Sequence, residues 1–263
     1  MNWTAIFNKL LDPYEVKARL FPGLLVLLPA ILFFALLYGS RSPAVAGLGA
    51  ILATCGGPYL LSSFVRTWGQ RAQDRLIRDW GAQPSTIMLR HRDTTLSRQT
   101  KTRYHALAAA RLGIIMPSVE DEQSNPSAAD QSYTAAADAL RPLTNDRKEF
   151  PFVFKELVAY GFNRNAHGSR WVGLAVAIIA VFAALLHANA LSLETTYLDV
   201  SAIDNPHVIV LVIASGTAFL WCAHFTADTV RLAGFSYSRR LWEALDQVAK
   251  KPQRKSRKTP ESN

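Results

Sequence analysis

Cysteine is scarce in this chain, and its scarcity excludes two kinds of stabilising site. Only Cys55 and Cys222 occur among 263 residues. Both stand inside strongly apolar stretches, so a disulfide framework of the kind found in small secreted domains is not expected. A zinc site built from Cys-x-x-Cys pairs is excluded as well. We interpret the two cysteines as small, buried apolar residues.

Familiar catalytic motifs are also missing. The sequence has no Walker-type glycine loop, no His-Glu-x-x-His pair and no nucleophile elbow. His91, Asp93 and His105 lie near one another in the chain, but nothing in their spacing specifies a catalytic geometry, and we interpret them as solvated side chains. The sequence therefore predicts a protein that is not an enzyme and that carries no cofactor and no metal ion.

Charged residues are missing from four apolar stretches, and this absence determines the predicted fold class. Each stretch approaches or exceeds the ~18 uncharged residues expected of a membrane span. They are Leu20–Gly39, Ala44–Phe64, Trp171–Ala188 and His207–Phe225. The first contains thirteen Leu, Ile, Val or Phe residues, which together favour insertion by about 4 to 8 kcal/mol. No cleavage site of the small-x-small type follows it, so we interpret it as a retained span rather than a signal peptide.

No β-rich segment or internal repeat is visible in the rest of the chain. The sequence thus predicts an all-α, polytopic membrane protein with four transmembrane helices and a helical cytoplasmic region inserted between helices 2 and 3. Its expected parts are an N-terminal segment with transmembrane helices 1 and 2 (1–65), a cytoplasmic helical region (66–170), transmembrane helices 3 and 4 (171–226), and a cytoplasmic helix with a basic tail (227–263).

Lysine and arginine are nearly absent from the segments that connect the spans on one side. Arg41 is the only one between the first two spans, and none occurs in 189–206. By contrast, 66–170 holds sixteen and the chain after 226 holds nine. By the positive-inside rule, this asymmetry places both termini and the 66–170 region in the cytoplasm.

Periodic apolar residues predict helices in the cytoplasmic region. They recur every four positions from Trp68 to Trp80, so the second span is expected to continue as an amphipathic helix that ends at Gly81. Further helices are predicted near 85–90, 96–115 and 128–140. For the helix near 96–115, the capping candidates are Asp93 to Thr95.

The most informative feature is a set of basic residues in the first half of the cytoplasmic region. Residues 66–111 hold ten Lys or Arg and three acids, whereas 112–149 hold three and seven. Guanidinium groups bind phosphate oxygens in pairs, so the basic residues are candidate ligands of a nucleotide or oligonucleotide. The candidates are Arg71, Arg75, Arg78, Arg90, Arg92, Arg98, Lys101 and Arg103. Interleaved aromatic rings on which bases can stack are Trp68, Trp80, His91, Tyr104 and His105.

Other interpretations of the same basic residues remain open. Arginines just inside a membrane attract anionic lipid headgroups at about 1 kcal/mol each. Arg71 with Asp74, or Arg75 with Asp79, can instead form ion pairs on the surface of one helix. A lipid surface or an acidic protein surface is therefore an alternative partner to a nucleotide.

Polar residues within the spans mark candidate positions in a bundle interior or a pore, since a polar group that faces lipid is costly. They are Thr54, Ser62, Ser63, His187, Ser215, Thr217 and His224. No span carries Asp, Glu, Lys or Arg, which disfavours a proton-coupled transporter. Four spans make a thin bundle, so a pore would require a homo-oligomer with the pore on its symmetry axis. The alternative is that these residues pack inside an inert bundle.

Three stretches carry a resemblance to a known group of proteins. They are Asp79-Trp-Gly-Ala-Gln-Pro-Ser-Thr86, Met88-Leu-Arg-His-Arg-Asp93 and Lys155-Glu-Leu-Val-Ala-Tyr-Gly-Phe-Asn-Arg-Asn165. With the order of the spans, they resemble bacterial inner-membrane effectors of anti-phage defence, of which the channel-forming partner of a nucleotidyltransferase in the Hailong system is the nearest type. The resemblance implies an inner-membrane protein whose cytoplasmic part senses a nucleotide or DNA-derived signal. It implies no role for any individual residue.

These observations lead to a functional hypothesis and an alternative. The hypothesis is a homo-oligomeric inner-membrane pore or membrane-disrupting effector in anti-phage defence, gated by a nucleotide or oligonucleotide at the basic region. The alternative is a non-conducting membrane scaffold whose cytoplasmic helices, through the acidic stretch 120–149, dock a soluble partner protein encoded nearby.

Overall fold

A computed structural model describes residues 12–39, 56–191 and 199–250, together with positions 42, 43, 47 and 49. Throughout this part of the chain the regular secondary structure is helical and no β-strand occurs, which confirms the all-α prediction for these residues. The helices are α1 (Pro13–Leu37), α2 (Gly57–Trp80), α3 (Pro84–Leu89), α4 (Arg98–Leu112), α5 (Val119–Ser124), α6 (Pro126–Leu143), α7 (Pro151–His187), α8 (Asn205–Ala223) and α9 (Ala227–Lys250).

Three of these helices, α1, α7 and α8, are long and apolar enough to cross a membrane. They contain most of the first, third and fourth predicted spans and are compatible with a multi-pass membrane protein. The second predicted span, Ala44–Phe64, lies largely outside the described residues, and only its end is seen, as the first turns of α2. The total of four spans therefore stays a prediction.

Local sequence explains where the helices around the predicted basic region begin and end. α2 ends at Gly81, as predicted, because Gly81 adopts a left-handed conformation (φ 80°) that glycine takes up readily. α4 begins after Ser97, whose hydroxyl accepts the backbone N–H of Thr100 at 3.2 Å. The prediction that Asp93 to Thr95 would cap this helix was wrong. Asp93 instead accepts the N–H of Thr95 within the preceding loop.

The chain divides into two compact units. Unit 1 is formed by Met1–Gly81 and Leu157–Gly234, and unit 2 by Ala82–Glu156 and Phe235–Asn263. Unit 1 thus holds the apolar parts of α1, α7 and α8 together with α2, whereas unit 2 holds α3 to α6. Helices α7 and α9 contribute residues to both units.

In unit 1, α2 and α7 approach each other closely at glycines. A Cβ atom added to Gly168 would lie 2.6 Å from the backbone nitrogen of Gly69, and a Cβ atom added to Gly69 would lie 1.9 Å from Asn165 Oδ1. Asn165 is fully buried, and its amide donates to the backbone oxygen of Ala18 at 2.6 Å. These contacts join the start of α1 to α2 and α7 at one level of the unit.

Unit 2 has a hydrophobic core of its own. Fully buried side chains from α3, α6 and α9 meet there, and they include Met88, Leu89, Tyr133, Leu140, Leu241, Trp242 and Leu245. Trp242 also donates its indole N–H to the backbone oxygen of Ser85 at 3.1 Å. The core thus holds the C-terminal part of α9 against α3 and α6, and it positions the loop that follows α3.

Candidate functional site

The eight predicted phosphate ligands are divided between the two units. The three on α2 are exposed in unit 1, whereas the other five lie in unit 2, in the loop after α3 and on α4. Within unit 1, Arg71 and Arg75 line one cleft. Within unit 2, Arg92, Arg98 and Lys101 line another. The surroundings of each basic residue therefore decide whether it is available to a ligand.

Two of the candidates in unit 2 form hydrogen-bonded ion pairs with acids. Arg90 holds Asp130 of α6 by two hydrogen bonds, from Nε to Oδ1 at 2.8 Å and from Nη2 to Oδ2 at 2.7 Å. Arg103 donates to Asp246 of α9 at 2.9 Å, in an exposed pair worth less than about 1 kcal/mol. Both contacts join segments that are distant in sequence, so we assign these arginines to the packing of unit 2.

Lys101 is buried, with 4% of its surface exposed. Its ammonium group donates to the backbone oxygens of Arg90 at 2.6 Å, His91 at 3.3 Å and Asp93. Burial lowers the pKa of Lys101, against the opposing effect of the Asp93 and Glu122 carboxylates. The three N–H donors of this ammonium thus shape the loop after α3, and little of its hydrogen-bonding capacity is left for a ligand.

Glu122 of α5 is the buried counter-charge of the same region. Its carboxylate accepts the backbone N–H of His91 at 2.7 Å, the hydroxyl of Tyr133 at 2.7 Å and the backbone N–H of Arg92 at 3.4 Å. Burial acts to raise the pKa of Glu122, but these hydrogen bonds outweigh it, and the pKa is lowered overall. Glu122 therefore stays ionised and ties the loop after α3 to α6.

A cleft of about 760 Å³ opens between this loop and the helices α4 and α5. We call it the loop cleft, and its lining is His91, Arg92, Asp93, Thr94, Leu96, Arg98, Lys101, Thr102, Val119, Glu122, Gln123 and Pro126. Arg92 and Arg98 are exposed there, and α4 begins at the cleft, so that the positive end of its dipole adds to their charge. Its volume is within the ~300 to 1,000 Å³ typical of small-ligand sites. The arrangement suits an anion of the phosphate type.

The aromatic residues near this cleft are less available than the sequence predicted. Tyr104 and His105 are 3% and 8% exposed, so neither can stack on a base, and the interpretation of His105 as a solvated side chain was wrong. His105 donates from Nε2 to the backbone oxygen of Leu89 at 2.9 Å, and burial lowers its pKa. His91 lines the loop cleft, where its ring packs edge-on against that of His105 at 4.8 Å.

The polar residues predicted in the spans have varied surroundings. Thr54 lies outside the described residues. Thr217 is buried, and its hydroxyl donates to carbonyl oxygens one turn earlier in α8, so it is satisfied within its own helix. Ser62 is buried, and its hydroxyl has no hydrogen-bond partner among the described residues. Ser63 and Ser215 are exposed on the surface of the chain.

His187 belongs to a polar group where α1 and α7 end and α8 begins. Its Nδ1 lies 2.9 Å from Nε2 of His207, and His207 in turn binds the carboxylate of Asp204. The ring of Tyr38, just after α1, packs edge-on against His187 with centroids 5.1 Å apart. This group ties the three helix ends together, at the other end of unit 1 from Asn165.

Sequence reasoning missed Glu122 and His207. Glu122 is the last of three consecutive acids, and only the apolar character of one face of α5 could have marked it, which a helix of six residues barely defines. His207 begins the fourth predicted span, but its partner His187 is 20 residues earlier, across a connection. Neither pairing has a signature along the chain.

Comparison with known proteins does not assign the chain to a family. No protein-family model, curated protein or solved structure matches it. Function must therefore be inferred from the clefts and from the helices that can span a membrane.

Proposed function

We propose that this chain is a homo-oligomeric effector of the bacterial inner membrane that forms a pore, or disrupts the bilayer, when a phosphate-rich ligand binds in the loop cleft. The ligand is a nucleotide or an oligonucleotide, and anti-phage defence is the setting that the resemblance implies. The observation that carries the proposal is the loop cleft itself, where Arg98 is exposed and Arg92 makes only a long contact, 3.8 Å, with Glu122.

The chemistry of the loop cleft favours a phosphate ester. Guanidinium groups hold phosphate oxygens through paired, charged hydrogen bonds, and the first N–H groups of α4 add a favourable dipole. The nearby Glu122 accepts three hydrogen bonds, which offset its charge and reduce its repulsion of an anion. Leu96 and Val119 provide apolar surface for a base or ribose.

The proposed topology has four spans, both termini in the cytoplasm and unit 2 on the cytoplasmic side. Its support is the distribution of Lys and Arg, since unit 2 contains basic residues whereas 189–206 contains none. In this proposal α7 and α9, which contribute residues to both units, convey the effect of the ligand to the spans.

Pore formation requires several copies of the chain, because so few helices enclose no aqueous path of their own. Helix α8 offers a surface for such contacts. Val212 and Phe219 are 63% and 69% exposed, and Ser215, between them on the same face, is exposed too. A face that mixes one hydroxyl with apolar groups suits a second copy as well as lipid.

The scaffold alternative has less support from the residues of unit 2. Its expected docking surface was the acidic stretch 120–149, but Glu122, Asp130 and Asp138 each bind a partner within unit 2. Carboxylates that are already paired attract an external partner less strongly. The scaffold is therefore the second candidate, and the tests below distinguish it from the pore.

Ligand binding to the purified full-length protein is the first test. ATP and a fluorescently labelled trinucleotide are titrated against the wild type, Arg92→Gln/Arg98→Gln, and the control Lys148→Gln/Arg239→Gln, which removes two exposed charges of unit 2 outside the cleft. We expect at least about a tenfold loss of affinity in the cleft variant, because two charge-assisted contacts are removed, and no loss in the control. Equal binding by all three proteins would remove the sensing part of the proposal.

Membrane potential tests the effector part. The membrane potential of cells that express the full-length chain is followed with a voltage-sensitive dye, with and without the nucleotide that binds in the first test. An Ala188→stop variant, which lacks the fourth span, is the control. We expect depolarisation only with the full-length chain, and its loss in Arg92→Gln/Arg98→Gln. A chain that binds a nucleotide at the loop cleft but never alters the potential would be a receptor or scaffold, and the pore would be rejected.

A further inference from the structure

A second cleft, of about 370 Å³, lies between α2 and α7 in unit 1. We call it the arginine–tryptophan cleft, and its lining includes Trp68, Arg71, Arg75, His167, Arg170 and Trp171. Its two walls are brought together by the close approach of Gly69 and Gly168. The cleft is thus built by the packing of two long helices, and its shape does not depend on a loop.

Contacts with the end of α8 and with the turn after it show where this cleft lies along the helices of unit 1. His167 donates from Nδ1 to the backbone oxygen of Phe225 at 2.9 Å, and Arg170 donates from Nη2 to that of Cys222 at 2.9 Å. Helix α8, a candidate membrane span, ends at Ala223. The cleft therefore lies level with the end of this span.

The other two candidate spans enter their apolar segments at the same level. On α7 the uncharged stretch begins at Trp171, which lines the cleft. On α1 it begins at Leu20, two residues after Ala18, whose backbone oxygen binds Asn165 of α7. Trp171 is 71% exposed, and tryptophan at the boundary of an apolar segment is typical of the headgroup level of a bilayer. The arginine–tryptophan cleft is thus at the boundary between membrane and water.

The charge of the cleft is positive. Arg71 and Arg75 stand one turn apart on α2, and both are exposed. Among the described residues neither forms an ion pair, so the helix-surface pairs offered as an alternative do not occur there. Arg170 adds a third guanidinium, stacked over the Trp171 ring at 5.2 Å. Asp79 is the one acid of the lining, which leaves an excess of two positive charges.

We propose that the arginine–tryptophan cleft binds the phosphate of an anionic phospholipid. The guanidinium groups of Arg71, Arg75 and Arg170 select the phosphate, and any phosphate ester would share this chemistry. The depth of the cleft favours a lipid as its source. Phe64, 57% exposed and stacked on Trp68 at 6.0 Å, extends an apolar surface from the cleft along α2 for an acyl chain. The site lies in unit 1, and none of its lining residues belongs to the loop cleft.

Native mass spectrometry of the full-length protein released from detergent tests this site. The protein is titrated with dioleoyl phosphatidylglycerol and, in parallel, with dioleoyl phosphatidylcholine. The variant Arg71→Gln/Arg75→Gln is compared with Arg66→Gln/Arg78→Gln, which removes the same charge from exposed positions of the same helix outside the cleft lining. We expect the first phosphatidylglycerol to bind the cleft variant about tenfold more weakly or worse. Its affinity for the matched control should stay close to that of the wild type.

Three results would overturn the proposal. Equal losses in the two double variants would mean that lipid is attracted by general charge. Equally tight binding of phosphatidylcholine would mean that the cleft does not distinguish an anionic headgroup from a zwitterionic one. Displacement of phosphatidylglycerol by millimolar inorganic phosphate would identify a soluble phosphate as the ligand. If Arg71→Gln/Arg75→Gln fails to fold, Arg71→Lys/Arg75→Lys replaces it, and a loss of several-fold is expected because lysine lacks the paired donors.

Discussion

Glu122 keeps its charge in a buried position because donors from two distant segments satisfy it. The backbone N–H groups of His91 and Arg92 approach from the loop after α3, and the hydroxyl of Tyr133 approaches from α6. The side chain is 4% exposed. One carboxylate therefore determines how the wall of the loop cleft is attached to the rest of unit 2.

Glu122→Gln is expected to destabilise this attachment by about 2 to 3 kcal/mol, since an amide accepts more weakly than a carboxylate and turns an NH₂ group toward the same donors. Hydrogen exchange of peptides that cover α5 and α6, in the full-length protein, measures the change. Glu120→Gln is the matched control, because Glu120 is an exposed acid on the same helix. Equal protection in the two variants would contradict the assigned role.

Glu122 also predicts how the stability of unit 2 depends on pH. Because its pKa is lowered in the folded protein, the carboxylate stabilises the fold above its unfolded pKa of about 4.3. That contribution is lost as the pH falls through the folded pKa. The difference in protection between wild type and Glu122→Gln should therefore be largest near neutral pH and shrink below about pH 4. A difference that is constant down to about pH 3 would be inconsistent with an ionised Glu122.

The contact between α2 and α7 leaves no room for a single added methyl group at Gly69. A Cβ on Gly69 would lie 1.9 Å from Asn165 Oδ1 and 2.9 Å from Asn165 Cα. Asn165 cannot yield freely, because it is fully buried and bound to Ala18. The two helices would have to separate, and the arginine–tryptophan cleft between them would widen.

We therefore expect Gly69→Ala to lower the stability of unit 1 by about 1 to 3 kcal/mol, as overpacking does. Gly216→Ala is the control within a helix of the same unit, since no atom lies within 4 Å of its Cβ position, and it should be neutral or slightly stabilising through helix propensity. Thermal unfolding of the full-length protein in detergent compares them. A midpoint for Gly69→Ala equal to that of the wild type would show that α2 and α7 do not touch at this glycine.

For the whole molecule, the proposed topology predicts which surfaces are reachable from outside the cell. Ser201, between α7 and α8, and Ser127, at the start of α6, are both exposed. The test uses a Cys55→Ala/Cys222→Ala background and cells whose outer membrane is permeabilised while the inner membrane stays intact. In these cells a membrane-impermeant maleimide should label Ser201→Cys. It should label Ser127→Cys only after the inner membrane is opened. The reverse pattern would place unit 2 outside and invert the topology.

Local properties of the sequence were sufficient to predict several elements of the fold. The apolar stretches at Leu20–Gly39, Trp171–Ala188 and His207–Phe225 correspond to α1, α7 and α8, because membrane insertion depends on about 20 consecutive residues. The end of α2 at Gly81 follows from the conformational freedom of a single glycine. Such signals need no knowledge of what folds against them.

By itself, the sequence predicted a helical protein with four membrane-spanning stretches, three of which the described residues contain as long apolar helices, and an excess of basic over acidic residues in 66–111. Only the tertiary structure decided which of those charges line a cleft, which side chains are buried and where the clefts lie. Arg103 meets Asp246, 143 residues away, and Ser85 meets Trp242, 157 residues away. The physical reason is that burial and pairing depend on segments distant in the chain, whereas hydropathy and backbone conformation depend on adjacent residues.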